Sequence, residues 1–154
     1  EGSTYPVGPL PAQTAGPELL LGGTADKALD RVGKYANGYV MGGRANDAEW
    51  VRGIMERVNA AWKKNNRSGS PRFVATLPCA FGPNAEQQLD DVIAHYYGGR
   101  PERGNERQGS SNPTSKEAVR EMIAMHQELG TDEIIFRPAA LDLLQVDQLT
   151  DAIS

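Results

Sequence analysis

A glycine-rich turn early in the chain has the chemistry of a phosphate-binding site. Gly22-Gly23-Thr24 follows a short apolar run, and Lys27 comes shortly afterwards. Glycines let a ligand approach the backbone, a helix N-terminus presents unpaired N–H groups, and the hydroxyl and ammonium add a donor and a positive charge. The same residues also suit a tight turn with Thr24 as a helix N-cap, and the neighbouring Asp26 disfavours an anion. The residues alone leave both interpretations open.

Two further candidate ligand contacts follow strand segments later in the chain. Gly42-Gly43-Arg44 is a second glycine turn, and its guanidinium could bind a phosphate or an acidic tail, or could lie on the surface as an ordinary arginine. Arg137 ends the last predicted strand, directly before a proline. A charge in that position favours a ligand contact or a structural ion pair, and the sequence does not choose between them.

No residue of the chain is identified as a catalytic acid, base or nucleophile. His95 and His126 lie in or beside helix stripes without neighbours at ligand spacing, which predicts structural roles and no metal site. Cys79 follows a strand and has no evident base partner, so it is predicted to pack as a small apolar side chain. No Ser-His-Asp order, no pair of glutamates on a helix and no Gly-x-Gly-x-x-Gly motif stands out.

The elements that must position these residues alternate between short strands and amphipathic helices. The predicted strands are 19–21, 39–41, 73–77 and 133–136. Five helices are predicted, and they begin near Thr24, near Asp47, near Ala85, at Thr114 or Ser115, and near Leu141. The third is predicted to turn Val92 and Tyr96 inward, and the last is predicted to turn Leu144, Leu149 and Ile153 inward. Strict alternation predicts an α/β fold with a parallel sheet. Four such strands form either a small open sheet or half of an eight-stranded barrel, which normally needs about 250 residues.

Length and composition bound the class of protein. The chain has 154 residues, 23% of them charged, and a net charge of −4, which disfavours non-specific nucleic-acid binding. One cysteine fits a reducing compartment, so a cytoplasmic location is expected. No apolar run is long enough to cross a membrane and no secretion signal is evident. We interpret 1–154 as one partial domain, in which 98–113 has no apolar side chain larger than proline and is predicted to be a mobile loop.

The run 16–40 closely resembles a segment of the bacterial luciferase-like monooxygenase family. In that family a proline and an apolar strand lead into Gly-Gly-Ser/Thr, and a helix with Ala-Leu…Arg…Ala…Tyr follows. Asp/Asn-Gly and an aromatic residue come next, as Asn37, Gly38 and Tyr39 do in this chain. The lead-in 5–11 and the segment 130–138 also resemble the family, and the similarity therefore extends over most of the chain.

The resemblance implies a TIM (β/α)8 barrel that uses FMN or a deazaflavin coenzyme for redox chemistry on a small organic substrate. The four strands would be the fifth to eighth of that barrel, its C-terminal half. The resemblance places the cofactor phosphate near Gly23, Thr24 and Lys27, in agreement with the argument from the helix N-terminus. Gly22, Gly42, Gly43, Arg44 and Arg137 complete the cofactor-binding residues expected here, and no metal is implied.

The first four strands of such a barrel have no counterpart in this sequence. An open half-barrel exposes strand edges and an apolar flank, so we expect a homo-oligomer or a complement to a missing N-terminal half. The first alternative is a non-catalytic, self-associating half-barrel that binds flavin or no ligand. The second is an unrelated open-sheet phosphate-binding module, which would be a stable monomer.

Overall fold

A parallel sheet forms the centre of the structure, which is a computed structural model describing residues 12–14, 16–97 and 112–154. Its strands are β1 (Leu20–Leu21), β2 (Gly38–Met41), β3 (Arg72–Cys79) and β4 (Glu133–Pro138). Each strand pairs in parallel with the next, in the spatial order β1-β2-β3-β4. The alternation read from the sequence is therefore confirmed, and the carboxyl ends of all four strands share one edge.

Five helices connect or follow the strands in the described ranges. They are α1 (Asp26–Tyr35), α2 (Ala48–Lys64), α3 (Ala85–Tyr97), α4 (Lys116–Leu129) and α5 (Leu143–Ile153). Predicted end signals are confirmed at three places. The side chain of Asp47 accepts from Trp50 N at 3.0 Å, that of Ser115 accepts from Ala118 N at 3.1 Å, and Gly130 ends α4 in the left-handed conformation.

The main hydrophobic core lies between one face of the sheet and the helices α1 and α2. Val32, Val51 and Val58 are fully buried there against Tyr39 and Met41 of β2. Each buried side chain of this size contributes about 1.5–3 kcal/mol relative to exposure. These contacts hold α1 directly behind β1 and β2, and they fix where the β1–α1 turn lies.

The other face of the sheet carries a different set of side chains. Along β3 the side chains alternate, and Phe73, Ala75 and Leu77 point into the main core. Residues that pair across neighbouring strands point to the same face of the sheet. Thr76 with its partner Ile135, and Pro78 with its partner Arg137, therefore lie on the opposite face. Ile135 is 43% exposed. The hydrophobic clusters of the described residues contain no side chain from this second face.

Three local predictions are wrong. Ala25, not Thr24, is the N-cap of α1, and no side chain caps that helix. The strand β4 continues through Arg137 and Pro138 instead of stopping before them, since Pro138 lies on an edge strand of the described sheet, where a missing N–H is tolerated. On α3, Val92 and Tyr96 are 41% and 75% exposed, while Ala85 and Leu89 in the first half of the helix are buried.

The last helix buries a different face from the one predicted. Leu144 and Ile153 are 63% and 58% exposed, while Gln145 and Ala152 are buried and Leu149 is partly buried. The reason is a pair of hydrogen bonds between the Gln145 side-chain amide and the backbone of Phe81, at 2.8 and 3.0 Å. Because these bonds satisfy a buried backbone N–H and C=O, the helix is oriented with Gln145 toward the protein and the neighbouring leucines toward solvent.

The predicted mobile loop 98–113 falls largely outside the described residues. Its last two residues are described, and both contact the protein. The carbonyl of Pro113, which is fully buried, accepts from Ala80 N at 3.2 Å, and Asn112 accepts from the Asn46 side chain at 3.2 Å. The lead-in 5–11 lies outside the described residues as well.

His126 has the structural role predicted for it. The ring is fully buried, with Nε2 at 2.8 Å from the carbonyl oxygen of Ala45 and Nδ1 at 2.8 Å from the hydroxyl of Thr131. A neutral ring satisfies both contacts when Nε2–H donates to Ala45 and Nδ1 accepts from Thr131. The ring thereby joins α4 to the β2–α2 loop, and its burial lowers its pKa below the ordinary value.

We expect the folded chain to lose stability as the pH falls below about 6.5, the ordinary pKa of histidine. In this range the unfolded chain binds a proton at His126, whereas the folded chain keeps the ring neutral. The free energy of unfolding therefore decreases by at most about 1.4 kcal/mol for each unit by which the pH falls. Urea denaturation at pH 7.5, 6.5 and 5.5 measures this decrease. In His126→Gln the decrease over this range should vanish, and an unchanged slope would contradict the assignment. Asp30 and Asp47 also have lowered pKa values, but they titrate at more acidic pH.

Candidate functional site

The β1–α1 turn leaves helix N–H groups unpaired at the carboxyl edge of the sheet. Ala25 at the N-cap supplies no side-chain acceptor. The first intrahelical bonds run from Ala28 N and Leu29 N to Ala25 O, at 2.8 and 3.1 Å. The N–H groups of Thr24, Ala25, Asp26 and Lys27 have no partner among the described residues. Unpaired N–H groups and the positive end of the helix dipole favour an anion there.

The two glycines of this turn are explained by the protein itself. Gly23 has φ +111°, a conformation that other residues rarely adopt, and a Cβ there would lie 3.0 Å from that of Ala28. A Cβ on Gly22 would lie 3.0 Å from the carbonyl oxygen of Val40. Both glycines are thus needed for the tight turn, and the features open to a ligand are the N–H groups and the exposed side chains of Thr24 and Lys27.

Two side chains from other elements bind the carbonyl oxygens of the same turn. The hydroxyl of Tyr39, on β2, donates to Gly23 O at 3.2 Å. The guanidinium of Arg57, on α2, donates to Thr24 O and to the carboxylate of Asp26, both at 2.8 Å. Burial raises the pKa of Tyr39, which keeps the phenol protonated and able to donate.

The charges around the turn are balanced in favour of an anion. The carboxylate of Asp26 would repel a phosphate, but Arg57 pairs with it. Lys27 has no ion-pair partner in the described part of the chain. The Asp26–Arg57 pair is largely exposed and contributes little to stability, so its effect is mainly local charge compensation.

The β2–α2 turn lies beside the first one on the helix-covered side of the sheet. Gly43, with φ +75°, forms a three-residue turn in which Arg44 N donates to Gly42 O at 2.8 Å. The Arg44 guanidinium pairs with Asp47 at 2.6 Å, the same carboxylate that caps α2. Arg44 and Arg57 line one open groove of about 410 Å³, together with Trp50. The groove is thus formed by residues 44–57, and Arg57 is the residue that connects it to the β1–α1 turn.

Arg137 is separated from that groove. Its side chain is exposed on the second face of the sheet, since Phe136 before it packs into the hydrophobic clusters. No ion pair to Arg137 exists among the described residues, so the structural ion pair considered for it is not observed there. In a closed barrel this face is the interior, and Arg137 lies at its carboxyl end, where barrel active sites are found.

The remaining candidates carry no chemistry at this edge. Cys79 is fully buried, and burial raises the pKa of its thiol to about 11, which suits a packed side chain and not a nucleophile. His95 is exposed on α3. Within the described ranges, no three His, Cys, Asp or Glu side chains cluster closely enough to hold a metal ion. In those ranges no helix has the length and hydropathy needed to span a bilayer.

Tyr39 and Arg57 are site residues that sequence reasoning missed. The sequence places Tyr39 in a predicted strand and in the family resemblance without a ligand-site role, and Arg57 follows the turn by more than thirty positions on another helix. No local sequence pattern predicts either contact, because both depend on how β2 and α2 pack against the turn. A polar hydroxyl inside an otherwise apolar strand is the single signal that the sequence offers.

The fold is a chain of parallel βα units whose turns after the strands lie at one edge of the sheet. Residues 2–143 match the luciferase-like monooxygenase family, and this chain belongs to that family. The expected fold class is thereby confirmed, and an unrelated open-sheet module is excluded. No curated protein matches the chain in sequence.

Several solved structures share the fold at low sequence identity. An F420-dependent secondary alcohol dehydrogenase, in complex with an F420-acetone adduct, is 11% identical with a TM-score of 0.65, over 97% of this chain and 49% of its own. A riboflavin lyase with modified FMN and riboflavin is 11% identical with a TM-score of 0.62, over 90% and 43%. The coenzyme F420 dependent tetrahydromethanopterin reductase from Methanopyrus kandleri is 14% identical with a TM-score of 0.55, over 87% and 47%. The chain spans about half the length of these relatives, which are luciferase-like barrel enzymes.

Proposed function

We propose that this chain is the C-terminal half of a flavin- or deazaflavin-dependent oxidoreductase acting on a small organic substrate. Family membership and the FMN and coenzyme F420 named for its structural neighbours support the cofactor class. Bound cofactor would supply the redox chemistry, and the protein would bind and orient it. The other half of the barrel would come from further polypeptide or from a second copy. The buried single cysteine supports a cytoplasmic location.

The β1–α1 turn is proposed to hold the cofactor phosphate. The observation that carries this assignment is the uncapped first turn of α1, with its N–H groups unpaired beside Thr24 and Lys27. An anionic phosphate fits these donors, because they are N–H groups, a hydroxyl and an ammonium without a competing acid once Arg57 has paired with Asp26. Arg44, which follows the neighbouring strand β2, would add a second cation, and Arg137 would serve the barrel interior.

Thr24→Ala combined with Lys27→Ala is expected to weaken FMN binding at least about tenfold, since it removes a hydroxyl and a charge-assisted contact. Riboflavin has the same ring system without the phosphate, so its affinity should not change. Fluorescence titration of both flavins measures the two affinities, and Lys63→Ala on the exposed end of α2 is the matched control. Equal losses for both flavins, or no loss for FMN, would contradict the phosphate assignment.

A second candidate function is a non-catalytic, self-associating half-barrel that binds flavin or no ligand. The exposed apolar residues of α5 favour it, because they offer a surface for another copy. A purified assembly with a bound flavin chromophore and no turnover of added alcohols or aldehydes would support this candidate. Turnover by the assembly would contradict it.

A further inference from the structure

We infer that Tyr39 and Arg57 are positioning residues that orient the β1–α1 turn so that its N–H groups face the cofactor phosphate. The inference rests on the proposed function of that turn and assigns a role to two residues that do not themselves touch the ligand. The two residues come from different elements, β2 and α2, and hold adjacent peptide groups.

The planar trans peptide connects each carbonyl contact to an N–H direction. In a trans peptide the C=O of one residue and the N–H of the next point in opposite directions. The bond from Tyr39 to Gly23 O therefore directs the N–H of Thr24 away from the core, in which Tyr39 is buried. The bond from Arg57 to Thr24 O fixes the N–H of Ala25 in the same way.

The turn needs such support because little else restrains it. Gly22, Gly23, Thr24 and Ala25 are all exposed, and no side chain caps α1. Glycine peptides rotate easily, so an unrestrained turn would sample orientations in which the N–H groups no longer converge on one anion. The Tyr39 and Arg57 contacts remove that freedom before the ligand arrives, which reduces the ordering cost of binding.

Arg67, which follows α2, provides a matched control at the C-terminal end of α1. Its guanidinium donates to Ala36 O at 2.9 Å and to Gly33 O at 3.4 Å. Like Arg57, which donates to Thr24 O before the start of α1, it donates to backbone carbonyls, here at the end of that helix. Losing Arg67 should weaken the packing of α1 without changing the direction of the turn N–H groups.

The experiment measures the affinities of the chain for FMN and for riboflavin in Tyr39→Phe, Arg57→Gln and Arg67→Gln, with melting temperatures recorded for each. We expect the wild-type chain to prefer FMN at least about tenfold. Tyr39→Phe and Arg57→Gln should each reduce that preference about fivefold, through FMN affinity alone. Arg67→Gln should keep the wild-type preference. Asp26→Asn, which removes the ion pair and spares the Thr24 carbonyl contact, should keep or increase it.

The possible results distinguish failure of the positioning role from failure of the phosphate site. If the wild-type chain prefers FMN and the first two variants keep that preference, the positioning role is wrong while the phosphate site stands. If Arg67→Gln reduces the preference equally, the effect is general loosening of α1 and the positioning role is again wrong. If the wild-type chain does not prefer FMN over riboflavin, the proposed phosphate site fails and the inference fails with it. Backbone amide shifts of Thr24 and Ala25 in ligand-free Tyr39→Phe check the orientation directly, and unchanged shifts would overturn it.

Discussion

Replacing Gly33 with alanine should destabilise the chain by about 3 kcal/mol, in spite of the higher helix propensity of alanine. Gly33 lies in the middle of α1, where a Cβ would stand 2.4 Å from the carbonyl oxygen of Ala61 on α2. The obstacle is helix backbone, which cannot rotate away as a side chain can. The helices α1 and α2 would have to separate, and the contacts of Val32 and Val58 in the main core would loosen.

Thermal unfolding followed by circular dichroism measures this effect. For a chain of about 150 residues, 3 kcal/mol lowers the melting temperature by roughly 10 °C. Gly53→Ala is the matched control, because Gly53 also lies inside a helix but has open space where the Cβ would be. It should raise stability by about 0.5–1 kcal/mol. Equal effects of the two substitutions would show that α1 and α2 do not pack as closely as described.

The second large effect concerns association of the chain with itself. On α5, Leu143, Val146 and Ile153 are 83%, 50% and 58% exposed. At about 100° per residue these three side chains fall on one stripe next to the buried side of the helix. Together with the exposed Ile135 on the second face of the sheet, the stripe leaves apolar surface in contact with water, which is unfavourable. We therefore expect the purified chain to have a solution mass of at least twice that of one copy.

Light scattering on the eluted protein measures the mass, and charged substitutions on the stripe test its cause. Val146→Lys with Ile153→Lys should shift the chain to a monomer. Leu144→Lys is the control, since Leu144 is 63% exposed but lies about 100° around the helix from Leu143. A wild-type monomer would exclude self-association of this half-barrel, and the other half would then have to be further polypeptide.

Much of the fold could be predicted from the sequence, because its signals are local. Strand and helix periods, the Asp47 and Ser115 caps and the Gly130 stop each depend on neighbours within a few residues. Alternation of the elements then required a parallel sheet with its ligand edge at the carboxyl ends. The family resemblance in 16–40 could also be read directly, since it lies in consecutive residues.

The tertiary structure alone decided how the candidate site is held and which helix faces are buried. Gln145 turns α5 because it meets the Phe81 backbone, and Tyr39 and Arg57 reach the β1–α1 turn from elements that follow it in the chain. These contacts join residues between 16 and 64 positions apart. Local propensity carries no information on such pairs. The sequence by itself determined the elements, their order and the family, whereas packing determined which polar side chains hold the turn.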